Sequence, residues 1–173
     1  WARLTGEAGI ALVTGGPGHA NAISALYTAT MAESPVVLLS GHAPLGQLGK
    51  GAFQEMRQTD IAAPLTKASW ICQKTEDIGL DIAKAIRLAK SGRPGPVHLS
   101  LPTDVLESIL PESTVMPIPA SFDAEQIPAA DSAISKIITS LQQASKPLIL
   151  TGPQMQSNSG KALLSKLEQA LGI

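Results

Sequence analysis

Gly9-Ile10-Ala11-Leu12-Val13-Thr14-Gly15-Gly16-Pro17-Gly18 is a short apolar run that stops on a glycine-proline turn. Residues 9–14 read as a buried β-strand, because the run is too short for a helix and ends on strong turn residues. Behind the turn, residues 19–32 read as a helix whose alanines and other small side chains let it lie close against a sheet. Pro35-Val36-Val37-Leu38-Leu39-Ser40 then gives a second strand, apolar at consecutive positions as in a strand covered on both faces. A loop over residues 41–51 carries Gly41, Gly46, Gly49 and Gly51, and residues 61–67 leave helix and strand both open. Residues 68–73 read as a strand. Residues 76–90 form an amphipathic helix with Ile78, Ile82 and Ile86 on one face, and residues 97–101 a strand ended by Pro102. This alternation predicts an α/β fold built on a doubly wound parallel sheet.

The texture changes beyond residue 106. Pro111, Pro117, Pro119 and Pro128 follow Pro102 with no clear periodicity, so residues 107–130 read as a linker that hugs a surface. Asp131 then caps a helix with Ile134, Ile137, Ile138 and Leu141 inward, residues 146–152 form a strand and turn, and residues 160–171 form another helix. These are the opening elements of a second, Rossmann-like α/β domain. A lone helix-strand-helix cannot bury its own faces, and Trp1-Ala2-Arg3-Leu4-Thr5-Gly6 reads as the end of a helix with a glycine stop. The expected organisation is therefore an N-terminally truncated domain over residues 1–106, a linker over 107–130, and a C-terminally truncated domain over 131–173.

With 173 residues, 44% of them hydrophobic, the chain can build one moderate core or one domain and part of another. A net charge of −1 without runs of like sign argues against a nucleic acid or an anionic membrane as partner. Cys72 is the single cysteine, which rules out a disulfide framework and fits a cytoplasmic setting. Val36-Val37-Leu38-Leu39 is far too short to span a bilayer.

The turn over residues 13–21 is the first chemical feature, since glycines before a helix expose backbone N–H groups and admit a flat or anionic ligand. A tight turn that binds nothing explains the same spacing, and residue chemistry leaves the two open. A dinucleotide fingerprint fails at Asn21, and Ser159-Gly160-Lys161-Ala162 lacks both the first glycine and the hydroxyl of a phosphate loop. His19, His42 and His98 show no metal-ligand spacing. His98 reads as a packed strand residue and His42 as a solvated loop residue. Phe53 and Gln54, an aromatic beside an amide next to the Gly-rich loop, are suited to pack on a cofactor and to hydrogen-bond a reacting group.

The ordered string is more specific than any one motif. Ala2-Arg3-Leu4-Thr5-Gly6, Leu12-Val13-Thr14-Gly15-Gly16-Pro17-Gly18-His19-Ala20-Asn21 and Ser34-Pro35-Val36-Val37-Leu38-Leu39-Ser40-Gly41 are followed by Ala52-Phe53-Gln54-Glu55, Thr66-Lys67 and Ser91-Gly92-Arg93-Pro94-Gly95-Pro96-Val97. In this order they resemble the pyrimidine-binding domain of thiamine-diphosphate-dependent enzymes of the acetolactate synthase-like group. Lys146-Pro147-Leu148-Ile149-Leu150-Thr151-Gly152 resembles the opening strand of that family's central domain.

The resemblance implies that Gly16, Pro17, Gly18 and Asn21 lie against the aminopyrimidine ring of thiamine diphosphate. It also implies that Gln54 contacts the substrate or intermediate across a subunit interface, and that Pro44 and Phe53 line the substrate channel. The family's essential Glu would lie upstream, and its Gly-Asp-Gly…Asn-Asn signature for Mg2+ and diphosphate downstream, so the piece alone is expected to be inactive. A flavin (FAD) in the central domain stays open. The activity implied is a carboligase or lyase on 2-keto acids or acyl donors, in a homodimer or homotetramer, with the thiazolium as electron sink. Thr103, where acetolactate synthases carry Lys, and His19-Ala20 within the turn are departures from that group. Alternatives are a 2-hydroxyacyl-CoA lyase or oxalyl-CoA decarboxylase-like enzyme, a noncatalytic binding or regulatory relative, and a nicotinamide-binding oxidoreductase domain.

Overall fold

The computed structural model describes residues 1–125 and 127–172. The chain forms two compact units, Trp1–Glu125 and Gln126–Ile173. In the first, a helical turn α1 (Ala2–Thr5) is stopped by Gly6 in the left-handed conformation, φ 79°. Strand β1 (Gly9–Val13), helix α2 (Pro17–Met31) and strand β2 (Val36–His42) follow. Helix α3 (Gln58–Ala62) runs into a 3-10 turn (Ala63–Leu65), so the stretch left open between helix and strand is helical. Strand β3 (Ser69–Ile71), helix α4 (Ile78–Lys90), strand β4 (Val97–Pro102) and helix α5 (Thr103–Glu107) complete the series. All four strands are parallel, in the order β1-β2-β4-β3.

Helices cover both faces of this sheet, and the period-two alternation of the strands decides what each face meets. Val37, Val97 and Leu39 pack with Ala85, Ala89 and Ile86 of α4, while Leu99 and Leu101 join Ile78 and Ile82. The intervening Leu38 points the other way, to Leu26 and Ile23 of α2 and Ala62 of α3. Along β4 the alternation separates chemistry as well: Val97, Leu99 and Leu101 serve the α4 face, and His98 and Ser100, both fully buried, fall between them on the α2–α3 face. Leu99 is fully buried in a strand paired on both sides, so Leu99→Ala is expected to lower stability by roughly 3 kcal/mol, read as a lower denaturant midpoint at unchanged slope.

Two sequence expectations for this unit, for β1 and for His42, need correction. Strand β1 is not buried on both faces. It pairs with β2 alone, and Ile10 and Leu12, in register with Val37 and Leu39 on the α4 face, lie beyond the reach of α4; Leu12 is 73% exposed. His42 is not a loop residue in solvent but the buried last residue of β2, its Nδ1 donating to the Ala43 carbonyl at 3.2 Å. The stretch after α5 packs on the first unit as far as Glu125. Pro117 lies against Gly79 of α4, where a Cβ would meet its ring at 3.1 Å, and the Glu125 amide donates to Ser91 Oγ at 2.9 Å.

The second unit holds helices α6 (Asp131–Gln143) and α7 (Asn158–Leu171). Asp131 is the first helical residue of α6, with Ala130 at the cap position and no side-chain cap. Ser157 caps α7, its hydroxyl accepting from the Gly160 amide at 3.0 Å. The strand expected over residues 146–152 has no ladder among the described residues, and Leu150 is 87% exposed. Likewise the isoleucines of α6 are not inward; Ile137 is 59% exposed. A strand exists by virtue of its neighbours, and with no strand among the described residues of this unit neither the run nor the helix face has a sheet to complete. Among the described residues no helix is long and apolar enough to cross a membrane.

Candidate functional site

Parallel strands deliver their following loops to one edge, and in open α/β sheets ligands bind there. At the carboxyl ends of β1, β2 and β4 lies a cleft of about 250 Å³. Thr14 and Gly15 come from the turn after β1, and Gly41, His42, Ala43 and Pro44 from the end of β2. Thr103 closes it from α5, while Gln47, Phe53 and Gln54 come from the long loop. Of the residues the sequence singled out, the fold thus brings together Pro44, Phe53 and Gln54. It sets Gly16 behind the cleft, buried, and Pro17 and Asn21 on the exposed start of α2.

The glycines are dictated by backbone meeting backbone. A Cβ on Gly15 would stand 2.7 Å from the Gly41 carbonyl oxygen. Gly16 has φ 57° and ψ −111°, and its Cβ would stand 2.7 Å from the Gln54 carbonyl oxygen. Only a residue without a side chain fits either place. A Cβ on Gly18 would meet Thr14 Cγ2 at 2.5 Å, the end of a side chain rather than main chain.

The loop that presses on Gly16 is held by Glu55. Its carboxylate accepts from the amides of Gly49, Gly51 and Ala52, the last two at 3.0 Å. Those donors, Gly49 first and then Ala52, hold the Glu55 carboxyl below the ordinary range. The loop so shaped carries Gln54 at φ 56°, a positive value for a residue with a side chain, and leaves Phe53 87% exposed. Thr14 Oγ1 lies 3.4 Å from Gln54 Oε1, a long hydrogen bond. On the other wall the Asp104 carboxylate accepts from the Leu45 amide at 3.1 and 3.0 Å and fixes the chain as it leaves Pro44.

Beneath the cleft runs a buried polar chain that motif reading missed. Gln58 Oε1 accepts from the Gly16 amide at 2.8 Å, and Gln58 Nε2 donates to the Gly41 carbonyl at 3.1 Å and to Ser100 Oγ at 2.8 Å. Ser100 Oγ lies 3.3 Å from His98 Nε2, and Ser69 Oγ 2.8 Å from His98 Nδ1. The His19 ring meets that of His98 at 4.5 Å between centroids, tilted by 56°, and His19 Nδ1 bonds Ser40 Oγ at 2.9 Å. Burial lowers the pKa of both imidazoles, that of His98 to about 3, with His19 and His42 adding to the effect. A nearby Gln58 main-chain carbonyl opposes the shift at His19. The available signal was Ser40, His98 and Ser100: polar residues at alternate positions inside otherwise apolar strands. Cys72 belongs to no such site, because burial raises its thiol to about 11 and keeps it protonated.

Residues 1–61 match the model of the thiamine pyrophosphate enzyme N-terminal TPP-binding domain, TPP being thiamine diphosphate. The acetolactate synthase isozyme 3 large subunit of Escherichia coli (strain K12) is 40% identical over 157 residues, 87% of this chain and 27% of that protein. The acetolactate synthase large subunit of Parasynechococcus marenigrum (strain WH8102) is 36% identical over 155 residues, 88% of this chain and 25% of that protein. The chloroplastic acetolactate synthase of Arabidopsis thaliana is 32% identical over 175 residues, all of this chain and 26% of that protein. The chain belongs to the thiamine-diphosphate-dependent, acetolactate synthase-like family. It spans about a quarter of the length of the curated relatives it matches.

For a member of this family, the cleft suits one part of the cofactor and not another. No lysine or arginine lines it, so nothing in it matches a diphosphate, and among the described residues no group of three or more His, Cys, Asp or Glu could hold a metal ion. Its walls are glycine backbone, Ala43, Pro44, the Phe53 ring, the His42 imidazole, two threonines and two glutamines. Those suit a flat, neutral, hydrogen-bonding ring, which describes an aminopyrimidine.

Proposed function

We propose that this chain supplies the aminopyrimidine side of the active site of a thiamine-diphosphate-dependent carboligase or lyase acting on 2-keto acids or related acyl donors. The observation that carries the reading is the closure of the Phe53–Gln54 loop over the Gly15-Gly16 turn at the carboxyl edge of the sheet. When bound, the cofactor supplies a thiazolium that accepts the electron pair released at the acyl carbon.

The chain's own residues do the placing. Gly15 and Gly16 let the turn pack directly on the main chain of Gly41 and Gln54, and Gly18 lets α2 start against Thr14, which together shape the floor that receives the ring, with Pro17 and Asn21 on the exposed start of α2 beside it. Thr14 and Gln54 offer hydrogen bonds at the open side. Gln54, held at positive φ by the Glu55 clamp, points its amide toward the reacting groups, and Phe53 and Pro44 give the channel an apolar lining that limits water. The exposure of Phe53 fits a side chain covered by a second subunit, in a homodimer or homotetramer. Mg2+ and the diphosphate would be held by residues outside this chain, and FAD is left to the visible spectrum of the intact protein. A cytoplasmic setting accords with a chain that carries a single cysteine.

The test is calorimetric titration of the intact protein with thiamine diphosphate and Mg2+, followed by turnover of pyruvate and of an acyl-CoA thioester. Saturable binding and turnover of pyruvate are expected; thioester turnover alone would move the reading to the acyl-CoA lyases. Binding without turnover of either would leave a noncatalytic relative. Gln54→Ala should lower kcat/KM about tenfold, the loss of one neutral hydrogen bond, with cofactor affinity little changed.

A further inference from the structure

Gln58 is 1% exposed, the first residue of α3, and makes hydrogen bonds to three different elements. Its orientation is fixed by chemistry: the Gly16 N–H can only donate and the Gly41 carbonyl can only accept, so Oε1 must face the turn and Nε2 must face β2. Both amide hydrogens are used, one on Gly41 and one on Ser100 of β4. Ser100, having accepted from Gln58, has its single hydrogen left for His98 Nε2. His98 then carries its proton on Nδ1, toward Ser69 Oγ. The carboxamide is therefore a three-way pin, oriented from below by a neutral imidazole, with its oxygen on the one amide whose residue has φ 57° and ψ −111°.

We propose that Gln58 is a positioning residue for the cofactor: it sets the Gly15-Gly16 turn against the ends of β2 and β4 in the conformation that receives the aminopyrimidine. The inference rests on the function proposed above and extends it to a residue that touches neither cofactor nor substrate. Without the carboxamide, the buried Gly16 N–H loses its acceptor, and the turn can regain one only by rotating that amide toward water. Such a rotation moves the floor of the cleft, because Gly15 and Gly16 both lie within van der Waals limits of other main chain.

The experiment uses the intact protein with thiamine diphosphate and Mg2+ as titrants and calorimetric Kd as the readout, beside the thermal midpoint of the unliganded protein. Gln58→Met keeps the length and removes the pin. Leu99→Ala is the control for lost stability alone, since it loosens the same sheet from the α4 face. Gln58→Glu retains an acceptor for Gly16, and Ser100 can donate to it, but it opposes the Gly41 carbonyl with a carboxylate until it is protonated.

The expected results are a Kd about tenfold higher for Gln58→Met and within about twofold of wild type for Leu99→Ala. Gln58→Glu should bind weakly at about pH 8 and recover relative to wild type as the pH falls toward 6, when a carboxylic acid can again donate. His19, His42 and His98 are the titratable groups around the site on α2, β2 and β4, and His98 is linked to residue 58 through Ser100, so the ratio is also taken in a His98→Gln background, which removes the nearest of them. Equal Kd for wild type and Gln58→Met, or equal losses in Gln58→Met and Leu99→Ala, would overturn the positioning role and leave the function intact. If Gln58→Met fails to fold, a pH-independent ratio for Gln58→Glu overturns it instead. Failure of the wild-type protein to bind would overturn the function and this inference together.

Discussion

Gly16→Ala should raise the Kd of the intact protein for thiamine diphosphate by about 100-fold, close to 2.7 kcal/mol. Two costs act together. At φ 57° and ψ −111° an alanine stands in a region that residues with a side chain seldom enter, a strain of order 1–3 kcal/mol. Its Cβ would also lie 2.7 Å from the Gln54 carbonyl oxygen and 3.0 Å from Gln54 Cβ. Main chain cannot swing aside as a side-chain tip can, so relief requires moving the turn or the loop that carries Phe53 and Gln54. Either movement separates the two halves of the cleft. Gly18→Ala is the contrast, because its new methyl meets only Thr14 Cγ2, which can rotate away, and a loss of less than about tenfold is expected. Calorimetry on both variants decides the matter. Binding by Gly16→Ala within about threefold of wild type would mean that the ring sits elsewhere.

The alternation of apolar runs with helix-period segments was enough to read the parallel sheet, because each element of the first unit is bounded by a local stop. Gly15-Gly16-Pro17 ends β1 and starts α2, and Ser91-Gly92-Arg93-Pro94-Gly95-Pro96 separates α4 from β4. Burial was less legible than conformation. Leu12 and Leu38 look alike as strand leucines, yet Leu38 lies between two paired strands under α2 and Leu12 on an edge that no helix reaches. The run over residues 146–152 shows the same limit, since its composition favours a strand and its neighbours decide whether one forms.

The site divides along a similar line. Gly16, Pro44, Phe53 and Gln54 stand in recognisable local strings, and the turn and loop that hold them are local structures. Gln58 carries no local signal, as its partners Gly16, Gly41 and Ser100 are 42, 17 and 42 residues away in sequence. What sequence does offer is the complement: a Ser or His at alternate positions of a buried strand requires a polar partner across the face. Ser40, His98 and Ser100 together ask for the polar side chains that His19 and Gln58 supply.

Lowering the pH from 7.5 to about 5 should destabilise the protein by about 2 kcal/mol through His98 alone. In the unfolded chain this imidazole takes up a proton near its ordinary pKa of 6.5, but in the fold burial first, and the charges of His19 and His42 second, push it down to about 3. Between those values the unfolded state binds more protons than the folded one, so stability is full above about pH 6.5 and falls as the pH drops toward 3. The slope is about 1.4 kcal/mol per pH unit, and 1.5 units below 6.5 gives the stated loss. His19, also lowered by burial, adds in the same direction. Chemical denaturation midpoints at about pH 7.5, 6 and 5 should therefore descend for wild type and descend less steeply for His98→Gln, whose amide does not titrate. Parallel curves would show that the proton is taken up elsewhere. A proton forced onto His98 Nε2 would point at Ser100 Oγ, whose own hydrogen already lies in that gap, and Ser100 would have to turn. Its oxygen keeps a second lone pair for Gln58 Nε2, so only the hydroxyl hydrogen must find another acceptor, and the acid loss of stability should leave cofactor binding unchanged until the fold is lost.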